Sequence, residues 1–182
     1  MKNQWLDMID VCGVQATEIF DDFLDYIKET PLKLQKTPVD TLIKSGVSMA
    51  EGRRGFEDIQ IIQEVQPDLF VEADASKLKR VIMNLVSNAV DVLADHKVIN
   101  PLISIKAYTL KNHVIIMIKD NGPGIPEKII NNLFDAFITS GKSNGTGLGL
   151  AIVKQYIEAH NGTIKVANNN GAQFTIELPV AV

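Results

Sequence analysis

The residues from Gly145 to Leu150, Gly-Thr-Gly-Leu-Gly-Leu, have the composition of a ligand-binding loop. The three alternating glycines have no Cβ atom, so the backbone can turn sharply and approach a ligand closely. A helical pattern begins directly afterwards, and the N-terminus of a helix favours an anion. The spacing matches neither a P-loop nor a Rossmann fingerprint. The stretch therefore indicates a phosphate site, with a tight connection before a helix as the alternative.

Asn84 and Asn88 form a second candidate site, because residues four apart lie on one face of a helix. Their segment, LKRVIMNLVSNAVDVL, has a helical pattern that begins after Asp74. Asparagine is unfavourable inside helices, so a stacked pair beside an apolar face suggests a function. Such a pair of side-chain amides could face a hydrated cation such as Mg²⁺, which takes oxygen ligands, or a phosphate. The alternative is a solvated polar stripe that Asp91 continues.

Asp120 is a third candidate, at the end of a strand predicted from Val114 to Asp120. Alternation places it on the same side as Val114, Ile116 and Ile118. If that side faces the core, the carboxylate is buried and needs donors. It could accept from the exocyclic amine of adenine, and the loop 121–126, with two glycines and two prolines, could close on the ligand. The alternative is an ordinary turn that Asp120 caps.

The elements that must position these residues follow from periodicity and capping. Helices are predicted at Trp5–Lys28, at Ala75–Ala94 with Asp74 as cap, at Pro126–Phe134, and from Pro38 to about Ala50 with Thr37 as cap. Strands are predicted at Ile59–Val65, Leu69–Glu72, Leu102–Leu110, Val114–Asp120, Gly162–Ala167 and Ala172–Leu178, the last two joined by the turn Asn168–Gly171. This order indicates the α/β class, a two-layer α/β sandwich preceded by an amphipathic helix.

The bulk composition limits the class of protein. The chain has 182 residues, 46% of them hydrophobic, and a formal net charge of −4, which argues against nucleic acid as a partner. Cys12 is the single cysteine, so a reducing compartment fits. Neither a signal peptide nor an apolar run of about 18 residues is present. We expect a cytoplasmic protein, or the cytoplasmic part of a membrane-bound sensor.

The order of the motifs carries more information than any one of them. Asn-x-x-x-Asn, then Asp-x-Gly-x-Gly-Ile, then Phe-x-x-Phe (Phe134 and Phe137), then Gly-Thr-Gly-Leu-Gly-Leu resembles the ATP-binding domain of bacterial sensor histidine kinases. These belong to the superfamily of gyrase, heat-shock chaperone, histidine kinase and mismatch-repair ATPases. The resemblance covers roughly Gly55 to Pro179. It implies a Bergerat-type ATP-binding fold with ATP and Mg²⁺ as ligands.

On the base side, the resemblance implies that Asp120 reads the adenine amino group. Gly122, Gly124 and Ile125 would let the loop close over the base. On the helix, it implies that Asn88 is the Mg²⁺ ligand and that Asn84 is its polar neighbour near the phosphates.

On the phosphate side, the resemblance implies a hinge and phosphate loop made by Gly145, Thr146, Gly147, Leu148 and Gly149. The stretch Thr139–Asn144 would be a short mobile lid, with Lys142 as a candidate phosphate contact. Phe134 and Phe137 would anchor this lid, with core packing as the alternative.

The N-terminal part also resembles the family. Residues 1–37 would be the second helix of a dimerisation hairpin and its linker, and residues 38–182 the catalytic domain. His96, His113 and His160 do not lie on a long amphipathic helix followed by an acidic residue, so the phosphate-accepting histidine is expected to be absent. The implied partners are ATP or ADP, a histidine-bearing helix, a response regulator and, in the full-length protein, a second copy.

Three features depart from the family pattern. Many sensor kinases carry a basic residue three positions after the second asparagine, where this chain has Asp91. Ala136 stands where the phenylalanine segment often has proline, and the lid is short. The activity implied is transfer of the γ-phosphoryl group of Mg-ATP to a histidine outside this chain. The alternatives are a serine kinase of the anti-sigma type and a nucleotide-sensing, partner-binding module without catalysis.

Overall fold

The computed structural model describes four parts of the chain: residues 20, 23–24, 31–138 and 147–181. Most of the predicted helix Trp5–Lys28 and the whole predicted lid Thr139–Asn144 lie outside them. Phe20, Phe23 and Leu24 have a helical backbone.

Seven strands are found in the described residues. They are β1 (Gln35–Pro38), β2 (Gln60–Val65), β3 (Phe70–Ala73), β4 (Leu102–Leu110), β5 (His113–Asp120), β6 (Thr163–Asn168) and β7 (Ala172–Pro179). Five of them form one sheet in the order β2-β4-β5-β7-β6, and β1 and β3 form a small second sheet. Within the large sheet, β2 and β4 are parallel, and the other neighbours are antiparallel. The predicted strands are thereby confirmed, with shifts of one residue at several ends.

Four α-helices and one short 3₁₀ helix accompany these strands in the described residues. They are α1 (Val39–Ala50), the 3₁₀ helix Phe56–Asp58, α2 (Ala75–Asp95), α3 (Glu127–Ile130) and α4 (Gly149–Ala159). Buried residues of α1, α2 and α4 join those of the large sheet in one hydrophobic core. The predicted two-layer α/β sandwich is therefore confirmed.

The buried face of β5 follows from the alternation of apolar residues in its sequence. On β5 the side chains of Val114, Ile116, Ile118 and Asp120 are all buried, so the predicted inward side of this strand is confirmed. Burial of each apolar side chain of this size stabilises the folded state by on the order of 1.5–3 kcal/mol. The strand therefore has one stable register, and the same alternation places the carboxylate of Asp120 inside.

The prediction that Thr37 caps a helix beginning at Pro38 was wrong. Thr37 belongs to β1, and its hydroxyl donates to the carbonyl oxygen of Gln35 at 2.9 Å. Helix α1 begins at Val39 without a capping side chain among the described residues. The reason is tertiary, because β1 pairs antiparallel with β3 and the main-chain N–H of Val39 donates to Leu69 at 2.9 Å.

The predicted helix Pro126–Phe134 is also shorter than expected. Only Glu127–Ile130 is α-helical, and turns with hydrogen bonds three residues apart follow it. Asn131 and Asn132 are poor helix formers. The turns bring Leu133 into the core, which a continued helix would have placed differently.

The predicted domain boundary between residues 37 and 38 falls inside β1. The pairing of Gln35–Pro38 with Phe70–Ala73 joins this strand to the segment that leads into α2. The assignment of residues 1–37 to a dimerisation hairpin and linker remains a prediction.

Candidate functional site

The carboxylate of Asp120 is held by two main-chain donors from different parts of the chain. Its Oδ1 accepts from the N–H of Gly122 at 2.8 Å and from the N–H of Ala172 at 3.1 Å. The residue is only 6% exposed. Burial raises the pKa of Asp120 above its ordinary value, and the N–H donors of Gly122 and Ala172 partly oppose this shift. A desolvated acceptor of this kind is suited to reading a donor on a ligand.

The turn between β6 and β7 packs directly against Asp120. Gly171 in this turn has a φ of +121°, a conformation that residues with a Cβ rarely adopt. A Cβ at Gly171 would also overlap the carbonyl oxygen of Asp120. Glycine is therefore required at this position, both for the turn and for its close approach to the carboxylate.

Asn168, the last residue of β6, holds the loop that follows Asp120. Its Oδ1 accepts from the N–H of Ile125, and its Nδ2 donates to the carbonyl oxygen of Ile125, both at 2.8 Å. The same Oδ1 lies 2.7 Å from where a Cβ of Gly124 would be. The sequence predicts Asn168 only as part of a turn. An asparagine run beside Gly171 was the sole available signal, and it does not point to a residue 43 positions away.

Asn121 holds the same loop from the other side. Its Oδ1 accepts from the N–H of Leu102 at 2.8 Å, and its Nδ2 donates to the carbonyl oxygen of Asn100 at 2.9 Å. The loop from Asp120 to Ile125 is thus hydrogen-bonded to the end of β6 and to the start of β4.

Helix α2 begins at the predicted cap. Oδ1 of Asp74 accepts from the N–H groups of Ser76 at 3.1 Å and Lys77 at 3.4 Å, which confirms the capping. The helix presents Asn84 and Asn88 on one half-buried face. The side-chain amide of Asn84 donates to the carbonyl oxygen of Gly149, 3.3 Å away at the start of α4.

The glycine loop is described only from Gly147 onward; Lys142, Gly145 and Thr146 lie outside the described residues. Gly147 has a φ of +69°, and a Cβ there would lie 2.6 Å from the Cα of Phe137. The N–H of Phe137 donates to the carbonyl oxygen of Gly147 at 2.9 Å. The end of the Phe-x-x-Phe segment and the glycine loop are thus adjacent.

The two phenylalanines of that segment occupy different environments. Phe134 is half-buried and meets Phe174 edge to face, with ring centroids 6.4 Å apart. Phe137 is 66% exposed. Core packing therefore applies to Phe134, whereas Phe137 is the one placed beside the segment predicted to be a lid.

The N-terminus of α4 has the features of an anion site. Leu148 precedes the helix and is buried, and no described side chain caps the first turn. The first N–H groups of a helix have no partner within it and carry the positive end of the dipole. Asn84 contacts Gly149 at this terminus, so the helix face with both asparagines lies beside the N-terminus of α4.

Helix α2 also reaches the loop after Asp120. A Cβ at Gly122 would lie 3.3 Å from Cγ1 of Val92. Asn84, Asn88 and Val92 follow one another at four-residue steps, so Asn88 lies between the contact with α4 and the contact with this loop. The two contacts are about 12 Å apart at 1.5 Å rise per residue. Of the predicted site residues that the structure describes, Gly122 and Gly149 thus contact the helix that carries Asn84 and Asn88, whereas Gly124 and Ile125 contact Asn168.

The three histidines lie at the ends of secondary-structure elements. His96 and His160 end α2 and α4, and His113 begins β5. His160 is buried, whereas His96 and His113 are exposed. No cluster of three or more histidine, cysteine, aspartate or glutamate side chains suitable for a metal occurs in the part of the chain that the structure describes. Within that part, no helix combines the length and apolar character that crossing a membrane requires.

Comparisons with known proteins agree with this geometry. The chain is 32% identical to the sensor histidine kinase ZraS of Escherichia coli K12 over 173 residues, which is 92% of this chain and 36% of that protein. It therefore spans little more than a third of this relative.

Solved structures are similar in fold. The catalytic domain of histidine kinase ThkA matches with a TM-score of 0.71 and 32% identity, covering 81% of this chain and 95% of that one. The complex of ThkA with the response regulator protein TrrA matches with a TM-score of 0.79 and 28% identity, covering 98% of this chain and 51% of that one.

A family model gives the same result over the larger part of the chain. The model described as histidine kinase-, DNA gyrase B- and HSP90-like ATPase matches residues 73–182, from the cap of α2 to the C-terminal hairpin. The chain belongs to this ATPase family, and residues 73–182 are its ATP-binding domain.

Proposed function

We propose that the chain is the ATP-binding catalytic part of a two-component sensor histidine kinase. It would transfer the γ-phosphoryl group of ATP to a histidine outside this chain. The bond from the γ-phosphorus to the β–γ bridging oxygen breaks, a bond to an imidazole nitrogen forms, and ADP leaves. The observation that carries the proposal is the position of Asn88 on α2, between the Asp120 loop and the N-terminus of α4.

In this arrangement the nucleotide lies along α2. Oδ1 of Asp120 already serves two main-chain donors, so Oδ2 accepts from the adenine amino group. The phosphates lie at the N-terminus of α4, where helix N–H groups and the dipole favour negative charge. The distance of about 12 Å between the two contacts suits a base at one end and a triphosphate at the other.

The oxygen donors at this site suit Mg²⁺, which would be coordinated by the protein and the phosphates together. The described residues supply amide oxygen from Asn88, and Asn84 one turn away, but no carboxylate cluster. Mg²⁺ retains several waters and binds proteins through few oxygen ligands plus substrate phosphates. When bound, it would neutralise phosphate charge, while Asn88 holds it and Asn84 keeps α4 in place.

The partners follow from the same proposal. The relative ZraS is named a sensor histidine kinase, and the structure of ThkA contains a response regulator, TrrA. We infer that the partners are a histidine-bearing helix, a response regulator and, in the full-length protein, a second copy of the chain. These names favour a histidine kinase over a serine kinase of the anti-sigma type.

Calorimetric titration with ATP and ADP, with and without Mg²⁺, tests the nucleotide site. Asn88→Ala should weaken ATP binding about tenfold with Mg²⁺ and little in EDTA, because only the metal-bound contact is lost. Asn169→Ala is the matched control, since that exposed side chain bonds to Gln173 beside the β6–β7 turn and does not lie on the helix that carries Asn88. Absence of binding by the unmodified chain at millimolar ATP would refute the proposal.

Phosphoryl transfer is tested by adding a separately produced dimerisation hairpin that carries an acceptor histidine. With γ-labelled ATP, we expect acid-labile label on the hairpin. Label on serine of an added protein, with none on the hairpin, would favour the serine-kinase alternative instead.

A further inference from the structure

Helices α2 and α4 are joined by polar contacts at two separate points. The amide of Asn84 donates to Gly149 at the start of α4, and the main-chain N–H of Asp74 donates to Nε2 of His160 at its end, at 3.0 Å. The start of α2 therefore meets the end of α4, so the helices are antiparallel. The contacts are ten residues apart on α2 and eleven on α4, about 15 and 17 Å at 1.5 Å per residue. Together they define the register of one helix against the other.

The hydrogen bonds of His160 assign its tautomer. Nδ1 lies 2.6 Å from the carbonyl oxygen of Tyr156, which can only accept, so Nδ1 carries the proton. Nε2 is then unprotonated and accepts from Asp74. His160 is only 4% exposed, and both ring nitrogens form hydrogen bonds. A neutral imidazole is therefore the form that bridges the two helices.

The charged groups that face this ring in the described residues are Asp74 and Lys77. Burial lowers the pKa of His160 from its ordinary value of 6.5; Asp74 opposes this shift, and Lys77 adds to it. Lys77 lies over the ring of Tyr156, with Nζ 4.4 Å from the centroid. Protonation of Nε2 would point a second N–H at the N–H of Asp74 and break the bridge.

Asp74 also binds the chain that enters the domain. Its Oδ2 accepts from the main-chain N–H of Lys33 at 3.1 Å, while Oδ1 accepts from the hydroxyl of Ser76 at 2.6 Å. One residue thus contacts the segment before β1, the first turn of α2 and, through His160, the end of α4.

We propose that His160 is a positioning residue that sets the register of α4 against α2, so that the N-terminus of α4 faces Asn84 and Asn88. This rests on the proposed function, since its effect is on phosphate binding. Loss of the bridge removes the hydrogen bond that fixes the end of α4 to the start of α2, so α4 can shift about the contact of Asn84 with Gly149. That displaces the phosphate end of the site, whereas the base end is held by Asp120 and the β6–β7 turn.

Two substitutions test the two ring nitrogens of His160 separately. In His160→Gln, Oε1 can replace Nε2 as acceptor for the N–H of Asp74. In His160→Asn, Nδ2 can replace Nδ1 as donor to Tyr156, and the N–H of Asp74 remains unpaired. His96→Asn is the matched control, because His96 also ends a helix with Nδ1 3.0 Å from the carbonyl oxygen four residues before it, but on the exposed surface.

The measurement is the ratio of ATP to adenosine affinity, which reports the phosphate end alone. We expect His160→Asn to lower this ratio about tenfold, the scale of an unpaired buried N–H, and His160→Gln to restore most of it. An effect on folding alone would lower the thermal stability of both variants and leave the ratio unchanged, which would overturn the inference. An equal fall of the ratio in both variants, or in His96→Asn, would overturn it as well.

A pH series on the unmodified protein gives an independent test if His160→Asn does not fold. The ratio should fall on acidification in the unmodified protein, at a pH below the 6.5 of an ordinary histidine because burial lowers the pKa of His160, and it should fall less in His160→Gln, which has no imidazole there. Ionisation of ATP is common to both proteins and cancels in the comparison. Identical pH profiles would overturn the inference, whereas absence of ATP binding at every pH would instead refute the proposed function.

Discussion

The side chain of Asn168 forms the hydrogen-bond pattern of a β-bridge with the main chain of Ile125. Donor and acceptor of Ile125 are both paired, each at 2.8 Å, by a residue 43 positions further along the chain. The β6–β7 turn touches the same loop again where Ala172 donates to Asp120. The C-terminal hairpin therefore holds the loop that follows Asp120, which is the base end of the proposed nucleotide site.

Removing this bridge should loosen the loop over the base. We expect Asn168→Ala to weaken binding of ATP, ADP and adenosine equally, by about fivefold or more, because two exposed hydrogen bonds that contribute about 0.5–1.5 kcal/mol each are lost. Asn168→Asp should fall between, since it can accept from Ile125 but not donate. Calorimetry decides, with Asn169→Ala as control. A loss confined to ATP would contradict this role.

Asp120→Asn should separate stability from binding. The asparagine oxygen can keep the two main-chain donors, but its amino group then points at the adenine amino group, so nucleotide affinity should fall at least about tenfold. The free energy of unfolding at neutral pH should stay equal or rise by about 1 kcal/mol, because a desolvated charge is removed. Denaturant unfolding and calorimetry measure the two effects.

The pH dependence of this difference has a definite sign. The pKa of Asp120 is raised above 3.8, so between that value and the raised pKa the folded state binds more protons than the unfolded state. The unmodified protein therefore loses stability relative to Asp120→Asn as pH rises through this window. The advantage of the variant should be present at pH 7 and disappear on acidification. An advantage that grows at acid pH would contradict the assignment.

Gly171→Ala should damage both stability and binding. The added Cβ overlaps the carbonyl oxygen of Asp120, and φ at +121° is unfavourable for alanine, so we expect a loss of at least about 2 kcal/mol. Gly52→Ala is the control, because its Cβ would have no atom within 4 Å, and a change within about 0.5 kcal/mol is expected. Thermal unfolding of both variants, at matched concentration, tests this pair. Equal stability of the two would show that the β6–β7 turn yields more easily than its contacts imply.

The isolated chain should not label itself on histidine with γ-labelled ATP. The two ring nitrogens of His160 bond to Tyr156 and Asp74, and His96 lies at the C-terminal end of α2. Transfer requires a nucleophile held in line with the γ-phosphorus, and positioning supplies much of the rate. Acid-labile label that disappears in a His96, His113 or His160 variant would contradict this expectation.

The local elements of the fold follow from the sequence because their causes are local. Apolar alternation places Asp120 inward on β5, and Asp74 caps α2 with the N–H groups two and three residues on. The motif order identifies the family for the same reason, since each motif is a short run in which spacing alone defines the shape.

The tertiary structure decided those features that depend on long-range hydrogen bonds. Thr37 has the type of a helix cap, but pairing of β1 with β3 makes it a strand residue. Asn168 and His160 look like a turn residue and a helix end, and only their contacts with Ile125 and Asp74, 43 and 86 positions away, give them a place in the site. Periodicity and capping act over a few residues, whereas which distant donor meets which acceptor depends on how the layers pack.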